Sequence, residues 1–323
     1  MKLSNRYPIF SADGLRRNNM QLDKISKNLL EKIANLHDIP DGAVSFRKNG
    51  KSEIVRSTPD IEITKKADAS GIDIVVHSSC QHEACHIPVV VSENEFFDLV
   101  YNDFYIEDGA DVVIVAGCGV HSSSQAGHNG IHTFHIGKNA TVTYIENHLA
   151  LGKGVGKEMN PTTIIKLGQN STMNMETNQL GGVDYSNRVT KAHLAAGSSL
   201  NISEKILTSK FNVAKTDFKV YLNGDNSKCN IVSRSVARDE SEQVFKSSLF
   251  GKSECFGHVE CDGIVLDDAK IDSVPRVSAM NNLASLSHEA AIGKIANDQI
   301  VKLMTLGLSE KDAENKIIEG FLK

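Results

Sequence analysis

Apolar and polar positions follow two different periods along the chain. Between residues 14 and 37 the apolar side chains recur at the spacing of one helix face, which predicts a single amphipathic helix that Pro40 ends. Over residues 41–75 apolar and polar positions alternate in short runs, as at 43–46 and 61–63. Such alternation is typical of short strands joined by turns.

A repeat occupies the middle of the chain. Glycines recur at intervals of 28, 31, 29 and 27 residues, most of them followed by an alternating apolar strand, and a related strand without a leading glycine follows at 269–271. A period of 20–50 residues indicates a solenoid, because one such unit cannot bury its apolar face alone. Short strands, one turn glycine per unit and 6% aromatic residues favour a β-helix over a sandwich with chance spacing. The five glycines are Gly109, Gly137, Gly168, Gly197 and Gly224.

The end of the chain changes character. After Asn281 the sequence is expected to turn helical, with Asn297 capping one helix and Ser309 with Asp312 forming a capping box for a second. The pattern predicts an N-terminal helical segment (1–40), a β-helix core (41–284) and a C-terminal helical segment (285–323). The two C-terminal helices either dock on the solenoid end or bind a partner protein. Their proposed apolar anchors are Ile300, Leu303, Met304, Ile317, Ile318 and Phe321.

Composition and charge narrow the function classes. The 323 residues are 40% hydrophobic and 23% charged, a globular balance, and the net charge of −5 disfavours general nucleic-acid binding. No stretch reaches the ~20 apolar residues of a membrane helix, and the first residues lack a signal-like apolar run, so we expect a cytoplasmic protein without membrane insertion. Six cysteines are too few for a disulfide scaffold and are core thiols, metal ligands or redox groups.

Two stretches concentrate thiols and imidazoles. The segment HSSCQHEACH at 77–86 contains Cys80, Cys85 and His86, and either binds a metal or cluster or is a strand–turn–strand with thiols in it. A second stretch follows Cys118 and has the same two interpretations: metal-binding loops, or imidazoles that cap turns and face solvent. Its histidines are His121, His128, His132 and His135.

No motif for nucleotide or hydride chemistry is present. The run GKGVGK at 152–157 lacks the first glycine of a phosphate-binding loop, where Leu151 stands, and has Glu158 where Ser or Thr is needed. No nucleophile elbow, zinc-protease helix or dinucleotide fingerprint occurs. We therefore expect no ATPase or hydride-transfer enzyme in this chain itself.

A third constellation joins two segments near the C-terminus. Cys255, His258, Glu260 and Cys261 precede the pair His288 and Glu289 by about one repeat period. Residues one period apart in a solenoid lie on adjacent coils, roughly 5 Å from each other. Cys261 could therefore face the pair and form an iron ligand set; the alternative is a buried thiol beside a helix start.

The C-terminal run SLSHEAAIGKIANDQIVKLMTLGLSEKDAENKIIEGFL resembles the end of the SufB/SufD family of iron–sulfur assembly scaffolds. The upstream ECDGIVLDDAKIDSVP is similar to the family's Cys-Asp segment, and the strands after Gly137 and Gly168 are similar to its coils. The resemblance covers roughly residues 105–323. It implies a right-handed parallel β-helix with C-terminal helices.

The resemblance also implies partners and site residues. A SufC-type ABC ATPase would dock on the C-terminal helices, so ATP would enter only through that partner. Two β-helix subunits would join, as a homodimer or with a SufB/SufD paralogue, and build a transient iron–sulfur cluster for acceptor apoproteins at their interface. The family's functional residues fall on Cys261, His288 and Glu289, a pairing typical of SufB rather than SufD.

Three departures from the bacterial proteins stand out. The chain is short, Leu167 stands where a second sulfur-handling cysteine is expected, and the segment at 77–86 has no counterpart. This resembles a compact, single-scaffold form. Cys80, Cys85 or Cys118 could replace the missing cysteine, and His86 and His258 are secondary metal candidates. The alternative function is a metal-dependent enzyme on a β-helix that uses its His- and Cys-rich loops.

Overall fold

The computed structural model describes residues 22–323. The predicted N-terminal helix is present as α1 (Lys24–Ala34), and the part of that prediction before residue 22 lies outside the described residues. Asp23 caps the helix by accepting a hydrogen bond from the Ser26 amide at 2.9 Å. Asn35, in the left-handed conformation at φ 52°, ends it before Leu36.

Twenty strands follow, and two helices close the chain. The strands, in chain order, are β1 (Ala43–Lys48), β2 (Lys51–Arg56), β3 (Ile61–Lys65), β4 (Gly71–Val76), β5 (Gln81–Val91), β6 (Phe96–Ile106), β7 (Asp111–His121), β8 (Ala126–Ile136), β9 (Thr141–Leu151), β10 (Lys157–Met159), β11 (Thr162–Leu167), β12 (Thr172–Gln179), β13 (Tyr185–Leu194), β14 (Ser199–Thr208), β15 (Val213–Leu222), β16 (Ser227–Ala237), β17 (Glu242–Gly251), β18 (Cys255–Val265), β19 (Lys270–Ala279) and β20 (Ser285–Gly293). The helices are α2 (Asn297–Thr305) and α3 (Glu310–Phe321).

The strands form two sheets that wind into a solenoid of about eight turns, which confirms the predicted β-helix class. Sheet A runs in the order β2-β1-β5-β7-β9-β12-β14-β16-β18-β20. Sheet B runs β19-β17-β15-β13-β10-β8-β6-β4-β3, with β11 also between β13 and β8. From β5 and β4 onward each coil places one strand in each sheet, parallel to its neighbours. The pairs β1–β2 and β3–β4 at the N-terminal end are antiparallel.

The glycine series belongs to one sheet. Each of the five glycines lies in a turn that leads into a strand of sheet A, and close stacking of turns explains why some cannot be larger. A Cβ on Gly224 would lie 2.1 Å from the Ala196 amide nitrogen, and one on Gly168 would lie 2.8 Å from the Gly137 backbone. The strand at 269–271 starts β19 in sheet B, so it is not a member of this series.

The interior and the outer face of sheet A carry separate apolar clusters. Inside, side chains stack in register along the axis, for example Tyr144, Met175 and Ile202. Outside, α1 packs Leu29, Leu30 and Ile33 over Val44, Phe46 and Val90. Gly117 and Gly119 make room for this helix, because a Cβ on either would come within 3.0 Å of Ile33 or Leu29.

The C-terminal stretch corrects two sequence expectations. The chain does not turn helical after Asn281: β20 pairs with β18 and extends the solenoid to Gly293, because sheet pairing overrides the helix propensity of its Glu-Ala-Ala run. Asn297 is the first residue of α2 and not its cap, which is Ala296 without a side-chain bond. Ser309 does cap α3, accepting from the Asp312 amide at 3.2 Å. None of the helices among residues 22–323 is long and apolar enough to cross a membrane.

Candidate functional site

The thiols of the 77–86 segment lie in the apolar core. Cys80 and Cys85 are fully buried within the interior cluster, and the Cys80 thiol donates to the Asp111 carbonyl at 3.1 Å. Burial raises the pKa of Cys85 to about 12, so this sulfur stays protonated at neutral pH. His77 and His82 lie outside, 3.2 Å from Glu107 and Asp111 respectively. Within residues 22–323 no group of three or more His, Cys, Asp or Glu side chains is arranged to hold a metal ion.

The second histidine stretch lies on strands, not on loops as expected. His128 and His132 point inward from β8, whereas His135 points outward and stacks on Tyr105 at 5.0 Å between ring centres. His121 ends β7 and is half-buried. Burial lowers the pKa of His132 to about 4, as it does for His86 on β5. Both imidazoles are therefore neutral at pH 7.

Sequence reasoning missed a buried charged network beside these histidines. The Arg188 guanidinium bonds to Glu146 and lies 3.8 Å from Glu204. His148 Nε2 and His132 Nε2 approach the Glu146 carboxylate to 3.6 and 4.0 Å. Burial opposes ionisation of Glu146, but Arg188 and His148 together hold its pKa well below the usual range. Glu146 and Arg188 occupy the same alternate positions as the buried apolar residues of their strands. That position in the alternation was the sequence signal that they face inward.

A column of polar side chains continues from this network toward the C-terminal end. Glu146, Thr177, Glu204, Ser233 and Cys261 are successive in-register residues of sheet A, and all face the interior. The Ser233 hydroxyl donates to Glu204 at 2.9 Å. We call these five residues the polar column. Cys261 is its last member, and Ala290 follows it on β20.

Cys118 lies at the other end of this polar interior. It is 4% exposed on β7, and its in-register neighbour on β9 is His148. Burial raises the pKa of Cys118 well above the usual range, and the nearby carboxylates of Glu146 and Asp98 raise it further. Cys118 therefore differs from Cys80 and Cys85 in having polar neighbours.

Of the three predicted site residues Cys261, His288 and Glu289, the structure brings only the first two onto one face. In the β18–β20 pairing His288 lies opposite Val259, Glu289 opposite Glu260, and Ala290 opposite Cys261. Cys261 and His288 therefore share the inner face, one step apart diagonally. Glu289 is on the outer face, because successive residues of a strand point to opposite sides.

The side chains of Cys261 and His288 are both partly or fully removed from solvent, and both are neutral at pH 7. Burial raises the pKa of Cys261 to about 11, and the Ser273 hydroxyl opposes that rise. Burial, followed by His258, lowers the pKa of His288. The His288 Nδ1 lies 3.4 Å from the Ser247 hydroxyl, while its Nε2 is buried with no partner among residues 22–323. The Cys261 sulfur and the unpaired His288 nitrogen, on neighbouring strands of one face, are donor types that suit a soft or borderline metal.

The other candidates of this region face elsewhere. His258 is on the outer face, with Nδ1 2.9 Å from the Ser287 hydroxyl. Its neighbour Glu260 shares a hydrogen bond with Asp262 that raises the pKa of Glu260. Cys255 is buried on the inner face near the start of β18.

The solenoid ends next to Cys261 in two strand edges. β19 and β20 are the last strands of sheets B and A, and within residues 22–323 no further strand covers them. Large apolar side chains are exposed on this last coil. They are Val274, Val277, Met280, Leu283 and Ile292.

The C-terminal helices use most of their predicted anchors on the solenoid itself. Ile318 is buried against Val236, and Ile300, Ile317 and Phe321 pack into the same cluster. Arg238 and Glu314 add an ion pair at 3.1 Å. Leu303 is half-buried and Met304 is 43% exposed. The apolar surface left for a partner consists of Met304 with two residues that the sequence analysis did not select, Val301 and Leu306.

Comparison with known proteins gives one consistent family. A family model described as the SufBD core domain of the SUF system of FeS cluster assembly matches residues 96–321. An iron-sulfur cluster assembly SufBD family protein of Archaeoglobus fulgidus is 28% identical over 276 residues, covering 84% of this chain and 73% of the relative. An iron-sulfur cluster assembly SufBD family protein of Methanothermobacter thermautotrophicus strain Delta H is 30% identical over 244 residues, covering 74% of this chain and 58% of the relative. One from Methanocaldococcus jannaschii is 28% identical over 244 residues, covering 73% and 75%.

Proposed function

The chain belongs to the SufBD family of iron–sulfur cluster assembly proteins, and from this premise we propose that it is a scaffold subunit on which a nascent cluster is built with the help of a SufC-type ATPase. The observation that supports this best is the position of Cys261. It is the last residue of the polar column, it shares a face with His288, and it lies one strand from the open end of the solenoid.

One copy supplies too few ligands for a cluster. Its inner face offers the Cys261 sulfur and the His288 nitrogen, while Glu289 lies on the opposite face. An iron–sulfur cluster is usually held by four protein ligands in total. The open edges of β19 and β20, with their exposed apolar side chains, suit pairing with a second copy. We therefore propose a homodimer, with the transient cluster between the two ends; pairing with a paralogue is the other outcome.

The iron and sulfide are cargo and leave with acceptor apoproteins. The pKa of Cys261, about 11, means that the free thiol stays protonated at pH 7. An incoming iron would displace that proton, because metals bind the thiolate. Neutral His288 could ligate through Nε2, and Glu289 would contribute an oxygen only after the end strand moves or from the outer face.

The ATPase would bind the exposed side of α2. Val301, Met304 and Leu306 are the apolar side chains that the solenoid leaves uncovered there. Replacing Val301 and Leu306 by Glu should abolish co-purification with the ATPase and leave the solenoid folded, since neither side chain packs against it. The matched control is Lys302→Glu on the same helix, which should retain the ATPase. Undiminished ATPase binding by the double variant would contradict this docking surface.

Metal content tests the scaffold function. The protein is reconstituted without oxygen with ferrous iron and sulfide, and both are measured per chain in wild type, Cys261→Ser and the control Cys255→Ser. Wild type and control should hold equal amounts of iron and sulfide, and Cys261→Ser should hold neither above background. Zinc alone, or iron and sulfide retained fully by Cys261→Ser, would overturn the proposal.

The alternative of a metal-dependent enzyme has less support. His132, His148 and Glu146 do converge in the interior. The Arg188 guanidinium, however, already occupies the Glu146 carboxylate and would repel a cation placed there.

A further inference from the structure

Sheet B presents an outer face very different from that of sheet A. The helices of residues 22–323 pack on sheet A: α1 on β5, β7 and β9, and α3, together with Ile300 of α2, over Val236 of β16 and Ile264 of β18. On sheet B the outward side chains face solvent. Among them is one continuous column that crosses six strands, and we call it the ladder. Its members are Tyr105, His135, Lys166, His193, Tyr221 and Phe250, each in register with the next.

The rings of the ladder stack on each other. His193 and Tyr221 lie 4.7 Å apart with planes 7° from parallel, and Tyr221 and Phe250 lie 4.8 Å apart at 10°. The Arg276 guanidinium closes this stack, 5.1 Å from the Phe250 ring centre. Tyr221 therefore has a ring on each side, and Phe250 has a ring on one side and the Arg276 guanidinium on the other.

Cations line both sides of the ladder. The ammonium groups of Lys191 and Lys252 lie 5.6 and 5.1 Å from the Tyr221 ring centre, within the range of a cation–π contact. Lys219 is ion-paired with Asp217. In the part of the chain that the structure describes, by contrast, Lys166, Lys191 and Lys252 have no carboxylate within 4.0 Å. Burial and the neighbouring lysines lower the pKa of His193, so the positive charge at pH 7 comes from Lys and Arg.

We infer that the ladder and its flanking lysines are a docking surface for an acidic protein segment, separate from both the end strands and the C-terminal helices. The charge is complementary, because among residues 22–323 Lys166, Lys191 and Lys252 on this face have no carboxylate within 4.0 Å and are available to an acidic partner. The six rungs span roughly 24 Å at ~4.8 Å each. A segment of about seven extended residues covers that length.

Two other occupants fit the surface less well. Single-stranded nucleic acid gains much of its affinity by stacking bases on free aromatic faces, and here both faces of Tyr221 and Phe250 are covered by neighbouring groups. A second copy placed face to face would set one row of lysines against another, and that contact is repulsive.

Binding of defined probes tests this surface without reference to cluster assembly. Fluorescence anisotropy is measured with labelled octa-glutamate, octa-lysine and oligo-thymidine at ~0.15 M salt. Wild type should bind octa-glutamate, more weakly as salt rises, and should not bind octa-lysine. The variant Lys166→Glu/Lys191→Glu/Lys252→Glu should bind it at least about tenfold more weakly. These side chains are on the surface, so its melting temperature should stay near that of wild type.

A matched variant separates local from global charge. Lys24→Glu/Lys32→Glu/Lys228→Glu makes the same change in net charge at exposed positions of α1 and sheet A, and should change the affinity for octa-glutamate less than about twofold. Tyr221→Leu should weaken binding about threefold, because it removes the ring that orients Lys191 and Lys252. Equal losses in the two triple variants, no octa-glutamate binding by wild type, or tighter binding of oligo-thymidine that the ladder variant abolishes would each overturn the inference.

Discussion

Two regions of the solenoid carry inward-facing cysteines in very different surroundings. Cys80 and Cys85 lie in the apolar interior of the first coils, where the sequence is densest in potential ligands. Cys261 has only a few candidate ligands near it in the sequence, yet it ends the polar column and lies one strand from an open edge. The comparison teaches that the chemistry of a thiol depends on what the fold places around it more than on how many ligands its motif contains.

The largest expected difference between the two regions is the loss of cluster assembly when a cysteine is replaced by serine. Cys261→Ser should reduce cluster assembly in an ATPase-coupled assay by at least about tenfold, because a hydroxyl is a much poorer ligand than a thiolate for the iron of a cluster. Cys80→Ser and Cys85→Ser should keep most of the activity of the protein that remains folded. If Cys261→Ser is active and a Cys80 or Cys85 variant is not, the functional thiol lies in the 77–86 segment.

The next largest effect is on stability and concerns the buried charges of Arg188, Glu146 and Glu204, which lie between the two cysteine regions. Arg188→Leu should lower the free energy of unfolding by ~3–5 kcal/mol, because it leaves Glu146 and Glu204 buried without their cation. Denaturant unfolding measures the loss. Arg234→Leu, on the outer face of β16, is the control and should cost under ~1 kcal/mol. A small loss for Arg188→Leu would mean that water reaches these carboxylates.

Acid should separate the two regions further. His132 has a pKa of about 4 in the folded chain, below its ordinary value of 6.5, so the unfolded state binds the proton first. Stability is therefore complete above pH ~6.5 and falls by up to ~3 kcal/mol as the pH drops to ~4.

Hydrogen exchange at several pH values would show where the solenoid opens. The coils that contain His86 and His132 should lose protection first, and His132→Gln should flatten this pH dependence. His135→Gln, which changes the outward histidine of the same strand, should leave most of it. Earlier opening of the coils around Cys261 would contradict this prediction.

The smallest effect is the stability cost of the serine variants. Cys85→Ser places a hydroxyl in an apolar interior and should cost ~1–3 kcal/mol. Cys261→Ser should cost less than ~1 kcal/mol, since the hydroxyls of Ser233 and Ser273 can pair with the new one. Thermal melts of the two variants, compared at equal concentration, measure the difference. Equal costs would show that the end of the polar column is no more polar than the first coils.

The sequence predicted the solenoid through only half of its strands. The glycine series marks the turns into sheet A. The turns into sheet B have no such series, since their left-handed residues include Glu95, Lys210 and Asp239 as well as Gly156 and Gly182. No residue type marks these positions, so the second strand of each coil could not be found by spacing alone.

The predicted contact of Cys261 with the pair holds for His288, which shares its face, and not for Glu289. The repeat placed Cys261 beside the segment with His288, but the true offset between β18 and β20 is 29 positions, which sets Glu289 opposite Glu260. In a strand, an error of one or two positions decides which face a side chain occupies. Glu146 and Arg188 were missed for a different reason: charged residues are assumed to be exposed unless a buried partner on another strand is known.

The packing of α1 on sheet A has a consequence for folding during synthesis on the ribosome. The Asn147 side-chain amide donates a hydrogen bond to the Ile33 carbonyl at 2.7 Å, although Asn147 lies 114 positions after Ile33 in the sequence. Gly117 and Gly119, which make room for α1, also lie far from α1 in the sequence. At ~5–20 residues per second, a ribosome needs roughly 6–23 s to add that length. Until then Leu29, Leu30 and Ile33 lack the part of their groove that β7 and β9 supply, so we expect ribosome-bound chains that stop before β9 to engage chaperones through this helix.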